Sequence, residues 1–236
     1  MSLALNNIHV TLAGNPVLLG ITINVACGEL VCLVGRNGAG KSTTFRSIMG
    51  FQPLKSGTIC WKDKSIKGMD THEIVALGLG YAAEGSDVFG DLTVEDNIAL
   101  PTWTRKTSKS AHVRIDEAYA VFPKLKQYLS RGGQQLSGGE RKMVSIARAL
   151  ALDPELLLLD EAFEGLSPAI MPAISVGLQR ILKRGRGVLL AESNYYRLPR
   201  FADRLYVIER GEIVFEGTVA QVEADAATMK MIRGTD

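Results

Sequence analysis

The chain has 236 residues, 46% of them hydrophobic and 22% charged, which gives it enough apolar surface for a sizeable core in one large domain or two small ones. Its 27 basic and 25 acidic residues are interspersed and leave a net charge of +2, so it lacks the clustered basic excess expected of a chain that binds nucleic acid. No run approaches the roughly 18 apolar residues needed to cross a bilayer, and the opening MSLALNNIHV has neither the basic start nor the long apolar stretch of a signal peptide.

In chain order, the first stretch alternates apolar and polar residues (Leu3, Leu5, Ile8, Val10) and turns at Ala13-Gly14-Asn15. A second run, about Val17 to Val25, ends at Cys27-Gly28, and the two are read as antiparallel edge strands. Glu29 to Val34 is short, apolar and β-branched, as a buried strand is. A helix is expected from about Lys41 to Gly50, then strands at Gly57–Trp61 and Gly78–Ala82. Helical patterns cover about Ala111–Leu129, Gly139–Leu150 and Ile170–Lys183. Two strongly apolar runs, Leu156–Leu159 and Val188–Ala191, lie among them, and Arg204–Gly217 reads as a hairpin turned at Arg210-Gly211. Buried runs alternating with helices predict an α/β fold: a mainly parallel sheet covered on both faces, preceded by an antiparallel β unit. A helical insertion is expected between about 84 and 135. Cys27, Cys32 and Cys60 form no CxxC pair and are read as buried thiols of a reducing compartment.

Gly35-Arg36-Asn37-Gly38-Ala39-Gly40-Lys41-Ser42 fits the P-loop pattern GxxxxGK[ST], between an apolar strand and a helix. In a chain of this length, average residue usage produces such a match by chance on the order of one time in a hundred, and the strand–loop–helix context lowers that further. Glycines let the backbone turn its N–H groups onto phosphate oxygens, and the helix adds its positive N-terminal end. Lys41 is expected to reach the β- and γ-phosphates of ATP, and Ser42 to hold Mg²⁺; Thr43 completes the loop. Leu156–Leu159 followed by Asp160-Glu161 is a buried strand that delivers two acids at its C-terminal end, where ligands bind in open α/β sheets. Asp160 is assigned to the magnesium shell and Glu161 to polarising the attacking water.

Gln135-Leu136-Ser137-Gly138-Gly139-Glu140-Arg141 opens an amphipathic helix, with Ser137 as cap and glycines that leave the helix N-terminus open to an anion. With this motif the chain resembles the ATP-binding cassette (ABC) ATPases, whose signature is LSGGQ or LSGGE. The resemblance implies a P-loop NTPase core with an N-terminal antiparallel β subdomain and a helical signature subdomain over about 84–150, all within one domain spanning 1–236. It also implies a head-to-tail dimer, homo- or heteromeric, in which Ser137, Gly138 and Gly139 of one subunit close on the ATP held by the P-loop of the other. GRNGAGKST, AEGSDVFGDLTVEDNI, LSGGERKMVSIARAL and LLLLDEAFEGLSP are similar to the smaller ATPase subunit of branched-chain amino acid importers and their urea and amide relatives.

Carried over residue by residue, that likeness places Glu84 where most of the family has a metal-side glutamine, Ser193 where most have a γ-phosphate histidine, and Leu12 where an aromatic stacks on adenine. Ala162 stands in place of a proline. These departures read equally as tolerated drift or as the mark of a slow ATPase. The resemblance further implies a peripheral subunit at the cytoplasmic face of the inner membrane, docked on permease subunits and served indirectly by a solute-binding protein. In Glu84–Leu100, Phe89 and Leu92 are read either as anchors for a permease helix or as core. A soluble ABC ATPase and a weakly active regulatory cassette are the alternatives. Tandem cassettes or a large coiled-coil insertion would favour the first and are absent from the sequence; the intact Lys41, Asp160, Glu161 and Ser137 count against the second.

Overall fold

In the computed structural model of the chain, residues 3–233 are described. Strand β1 (Leu3–Leu12) turns back through Ala13-Gly14 as β2 (Asn15–Val25), and β3 (Leu30–Val34) leads through the P-loop into α1 (Lys41–Ile48). Then come β4 (Ser56–Trp61), β5 (Lys64–Ser65), α2 (Thr71–Ala76) and β6 (Leu79–Ala82). Four helices follow: α3 (Val94–Ala99), α4 (Pro101–Thr104), α5 (Ala111–Val121) and α6 (Gly138–Leu150). The chain returns to β7 (Leu156–Asp160), α7 (Met171–Leu182) and β8 (Gly187–Glu192). It closes with the hairpin β9 (Arg204–Glu209) and β10 (Glu212–Gly217), then α8 (Val219–Ala224) and α9 (Ala226–Arg233).

The main sheet has the order β10-β9-β3-β8-β7-β6, parallel except for β10 at its edge, and a separate antiparallel sheet has the order β2-β1-β4-β5. Every residue of β3, β7 and β8 is buried, as expected of continuous apolar runs in the middle of a parallel sheet. The two-residue period of a strand sends their side chains into two cores. Leu30, Cys32, Val34, Leu157, Leu159, Val188 and Leu190 meet the helices α3 and α5–α9. Val31, Leu33, Leu156, Leu158, Leu189 and Ala191 meet α1, α2 and the antiparallel sheet. Each such side chain contributes roughly 1.5–3 kcal/mol by burial. This double-sided packing fixes the register of β3, β7 and β8, and with it the level at which their C-terminal ends open.

Three expectations need correction. β1 is not an edge strand: β4, contributed by a segment beyond the P-loop helix, pairs with its free side. The helix read over Ala111–Leu129 ends at Val121, and Pro123–Gln127 is a single 3₁₀ turn, because Pro123 has no N–H to continue the ladder. Among the cysteines only Cys32 is buried; Cys60 is half-buried, and Cys27, in the turn before β3, is exposed.

Candidate functional site

The C-terminal ends of β3, β8, β7 and β6 lie side by side, with Val34 level with Glu192 and Asp160 level with Ala191. The P-loop leaves β3 here, and it needs glycine where it passes closest to its neighbours. A Cβ on Gly35 would lie 2.2 Å from the Ile208 carbonyl oxygen. Gly40 has φ +114°, and a Cβ there would meet Leu18 at 2.7 Å. The loop wraps a cavity of about 300 Å³ lined by Asn37, Gly38, Gly40, Lys41, Ser42, Thr43, Glu84 and Glu161. The structure therefore brings together residues that lie 120 positions apart in the sequence, from Lys41 to Glu161.

Lys41 is buried at the base of this cavity. Its ammonium donates to the carbonyls of Gly35 (2.8 Å) and Arg36 (3.3 Å) and pairs with Glu161 Oε1 at 3.1 Å. Glu161 adopts φ +49°, a left-handed conformation that costs a side-chain-bearing residue about 1–2 kcal/mol. Its N–H donates to the Ala191 carbonyl at 2.9 Å. Its other carboxylate oxygen, Oε2, accepts from the Ser193 N–H (3.0 Å) and the Ser193 hydroxyl (3.1 Å). Ser193 therefore holds the carboxylate beside Lys41, a role the sequence did not reveal.

Asp160 is 2% exposed, and burial, with the Glu161 charge adding to it, raises its pKa; the Ser42 hydrogen bond and the Lys41 charge act the other way. Tyr81 from β6 donates to Asp160 Oδ2 at 3.4 Å, while Oδ1 is buried with no partner among the described residues. An orphaned carboxylate oxygen beside the Ser42 hydroxyl suits a magnesium ion, which keeps several waters and takes its remaining ligands from one or two side chains and from phosphate. The described residues hold no cluster of three or more His, Cys, Asp or Glu that would cage a metal by themselves. Glu84 lines the same cavity from the loop after β6.

The other expected residues lie at or beyond the edge of this cavity. Asn37, which lines it, also borders a second cavity of about 480 Å³ together with Arg36, Ser193, Tyr196 and Arg233. Ser137 caps α6: its hydroxyl accepts from Glu140 N–H at 3.3 Å, and its own N–H donates to the Glu140 carboxylate at 2.8 Å. Ser137 and Gly138 are exposed and, with Gly139, stand outside the P-loop cavity. Leu12, at the end of β1 and 37% exposed, is also outside it.

The acids beside the site include one the sequence did not single out. Glu192 is 0% exposed; Oε1 accepts from the Phe163 N–H at 2.8 Å, and Oε2 has no partner among the described residues. Burial, reinforced by the Glu161 carboxylate, pushes its carboxyl from 4.5 up to about 8. The folded chain thus keeps a proton that the unfolded chain releases at lower pH. Stability from this group is fully present below 4.5 and is lost as the pH climbs to about 8. Glu192→Gln is expected to flatten the fall of melting temperature across that window, and an unchanged slope would remove Glu192 as its source.

Comparison with known proteins gives this site a family. The family described as ABC transporter matches residues 18–164. A branched-chain amino acid transport ATP-binding protein of Pseudomonas aeruginosa, BraG, is 37% identical over 201 residues, 85% of each chain. The lipopolysaccharide export ATP-binding protein LptB of Escherichia coli is 32% identical over 100% of this chain and 98% of its own. The fold superposes on the ADP conformation of MJ1267, an ATP-binding cassette of an ABC transporter, with a TM-score of 0.86 at 24% identity, covering 100% and 99% of the two chains. With the family match spanning more than half of the chain and these relatives aligned over most of it, the protein belongs to the ABC transporter family as one of its ATP-hydrolysing cassettes.

Proposed function

We propose that the chain is the motor subunit of a membrane importer for branched-chain amino acids or a related small solute. It works as a head-to-tail dimer on permease subunits at the cytoplasmic face of the inner membrane, with a solute-binding protein delivering the cargo. The observation that carries the chemistry is the convergence of Lys41, Ser42 and Glu161 on one phosphate-sized cavity, with the unpartnered oxygen of Asp160 beside it. ATP phosphates entering the P-loop draw Lys41 away from Glu161, and the freed carboxylate, held by Ser193, orients and polarises water. Bound Mg²⁺ would be held by Ser42, Asp160 and Glu84 and would supply neutralisation of the negative charge that develops on the phosphates. Leu12 packs on adenine, and Ser137, Gly138 and Gly139 close on the ATP of the partner subunit.

Docking on a permease is supported by Phe89. It is 50% exposed, which argues against the core reading, and its backbone is fixed by buried Asn97 at 2.9 and 3.0 Å while the Arg148 guanidinium lies 5.2 Å from its ring centre. The importer reading draws on the likeness to BraG; a second reading, export of a lipid-linked glycan, draws on the full-length alignment with LptB. Copurification with its membrane subunits and reconstitution in liposomes separates them. ATP-driven leucine or isoleucine uptake is the expected result. Extraction of lipopolysaccharide without amino acid movement would favour export, and purification with no membrane subunit would overturn both.

A further inference from the structure

A cation other than Lys41 sits among the acids of the hydrolytic site. Lys142 lies on α6, one turn into the helix, and is 5% exposed. Its ammonium donates at 2.7 Å to the carbonyl oxygen of Glu84, 58 residues away in sequence. The carboxylates of Glu192, Asp160, Glu164 and Glu84 all act on it electrostatically. Glu164 lies in the loop after β7, where burial, with the Glu161 and Glu84 charges close by, raises its pKa. The Glu84 loop is thus fastened at its backbone to the signature helix, with a second carboxylate near its side chain.

A buried ammonium is costly unless it is paired and hydrogen-bonded, so Lys142 has few alternatives to this position. The loop is irregular backbone: Ser86 within it has φ +61° and its N–H donates to the Ala83 carbonyl at 3.1 Å, while Glu84 itself has no ladder partner. The Glu84 side chain faces the cavity that Lys41, Ser42 and Glu161 line, so a displacement of the loop moves a carboxylate at the reacting centre. A misplacement of one ångström at such a centre costs about a hundredfold in rate.

We propose that Lys142 is a positioning residue for ATP hydrolysis that acts through Glu84, its ammonium fastening the Glu84 carbonyl to the signature helix so that the Glu84 carboxylate is presented to the phosphate cavity. The proposal rests on the reading of Glu84 as part of the hydrolytic site. It ties the position of the α6 N-terminus, where Ser137 lies, to the geometry of the cavity in the same subunit.

The test compares wild type, Lys142→Met, Lys142→Arg, Glu84→Ala and the double variant Lys142→Met/Glu84→Ala. Methionine keeps the apolar stem and removes the donor. In nucleotide-free protein, hydrogen exchange of the amides at 84–86 is expected to quicken in Lys142→Met by about tenfold or more. ATP turnover in that variant is expected to fall about ten- to a hundredfold, with KM within about threefold of wild type. Arginine, which also donates to a carbonyl, should recover most of the rate. The double variant should be no slower than Glu84→Ala alone, because a residue acting through another adds nothing once that other is gone.

Multiplying losses in the double variant would overturn the proposal, as would wild-type turnover in Lys142→Met beside a slow Glu84→Ala. Wild-type turnover in Glu84→Ala would instead remove the reading of Glu84 on which the proposal stands. If Lys142→Met fails to fold, Lys142→Leu, which likewise removes the donor on a shorter apolar stem, is measured in its place against the same criteria.

Discussion

Replacing Glu161 by glutamine is expected to lower ATP turnover by about three orders of magnitude while leaving nucleotide affinity within a few-fold of wild type. The amide keeps the size of the side chain and one oxygen to accept from Ser193, so the local geometry survives. It loses the negative charge that polarises water, and also the charge that holds Lys41 at 3.1 Å in the empty site. Lys41 is then free for phosphate without first leaving a carboxylate, so binding does not weaken. The variant should bind ATP, stall before hydrolysis and accumulate as an ATP-bridged dimer. Single-turnover kinetics and sizing chromatography read the two halves of this result. Turnover near the wild-type rate would show that Glu161 is not the group that activates water.

Lys41→Ala has the opposite profile. ATP affinity is expected to fall about a hundredfold or more, since charge-assisted contacts to two phosphate groups are lost. The empty protein should also become less stable, by about 3 kcal/mol, because the buried Glu161 carboxylate is left without its cation. Its contacts with Ser193 remain and limit the damage. Calorimetric titration with ATP and a thermal melt without nucleotide check the two effects separately. Unchanged ATP affinity would mean that the P-loop cavity is not the nucleotide site. An unchanged melting temperature would mean that the carboxylate takes up a proton when the cation is removed.

The readability of this chain follows the distance over which each feature is written. The P-loop, the acids after Leu159 and the cap of α6 are contiguous, because backbone turns and strand ends demand particular residue types at fixed spacings, and so they stand out in the sequence. The same holds for β3, β7 and β8, whose short unbroken apolar runs suit a strand buried on both faces and little else. Pairings between distant segments do not show in this way. The partner of β1 on its second side begins at Ser56, and nothing in the alternation of Leu3, Leu5, Ile8 and Val10 announces it.

Lys142 is another such case: in the sequence it is one charged residue on an amphipathic helix, and only the fold sets it against Glu84. Glu192 does not stand out because an acid at a strand end is ordinary; its burial and its bond to Phe163 N–H depend on a loop from the neighbouring strand. Ser193 is legible as a departure but not in its contacts, since the oxygen it holds belongs to a residue 32 positions earlier. Pro123 is a plain local signal that outweighs the helical pattern around it, and it ends the helix expected over Ala111–Leu129 where the structure does.

The far end of α6 is anchored by two arginines. Arg105 donates to the carbonyls of Leu152 and Asp153, and Arg114 to those of Ala151, Arg105 and Thr102. A helix of 13 residues is about 20 Å long, so α6 carries the arginine-held end and the exposed Ser137 about that far apart. Turning it about 10° at the arginine-held end sweeps Ser137 through about 3–4 Å and Lys142, two-thirds of the way out, through about 2 Å. A hydrogen bond of 2.7 Å does not survive that sweep unless the Glu84 loop travels with it. A turn of that size would therefore either carry the Glu84 loop with it or break the bond, so the attitude of α6 and the shape of the cavity that Glu84 lines are mechanically tied.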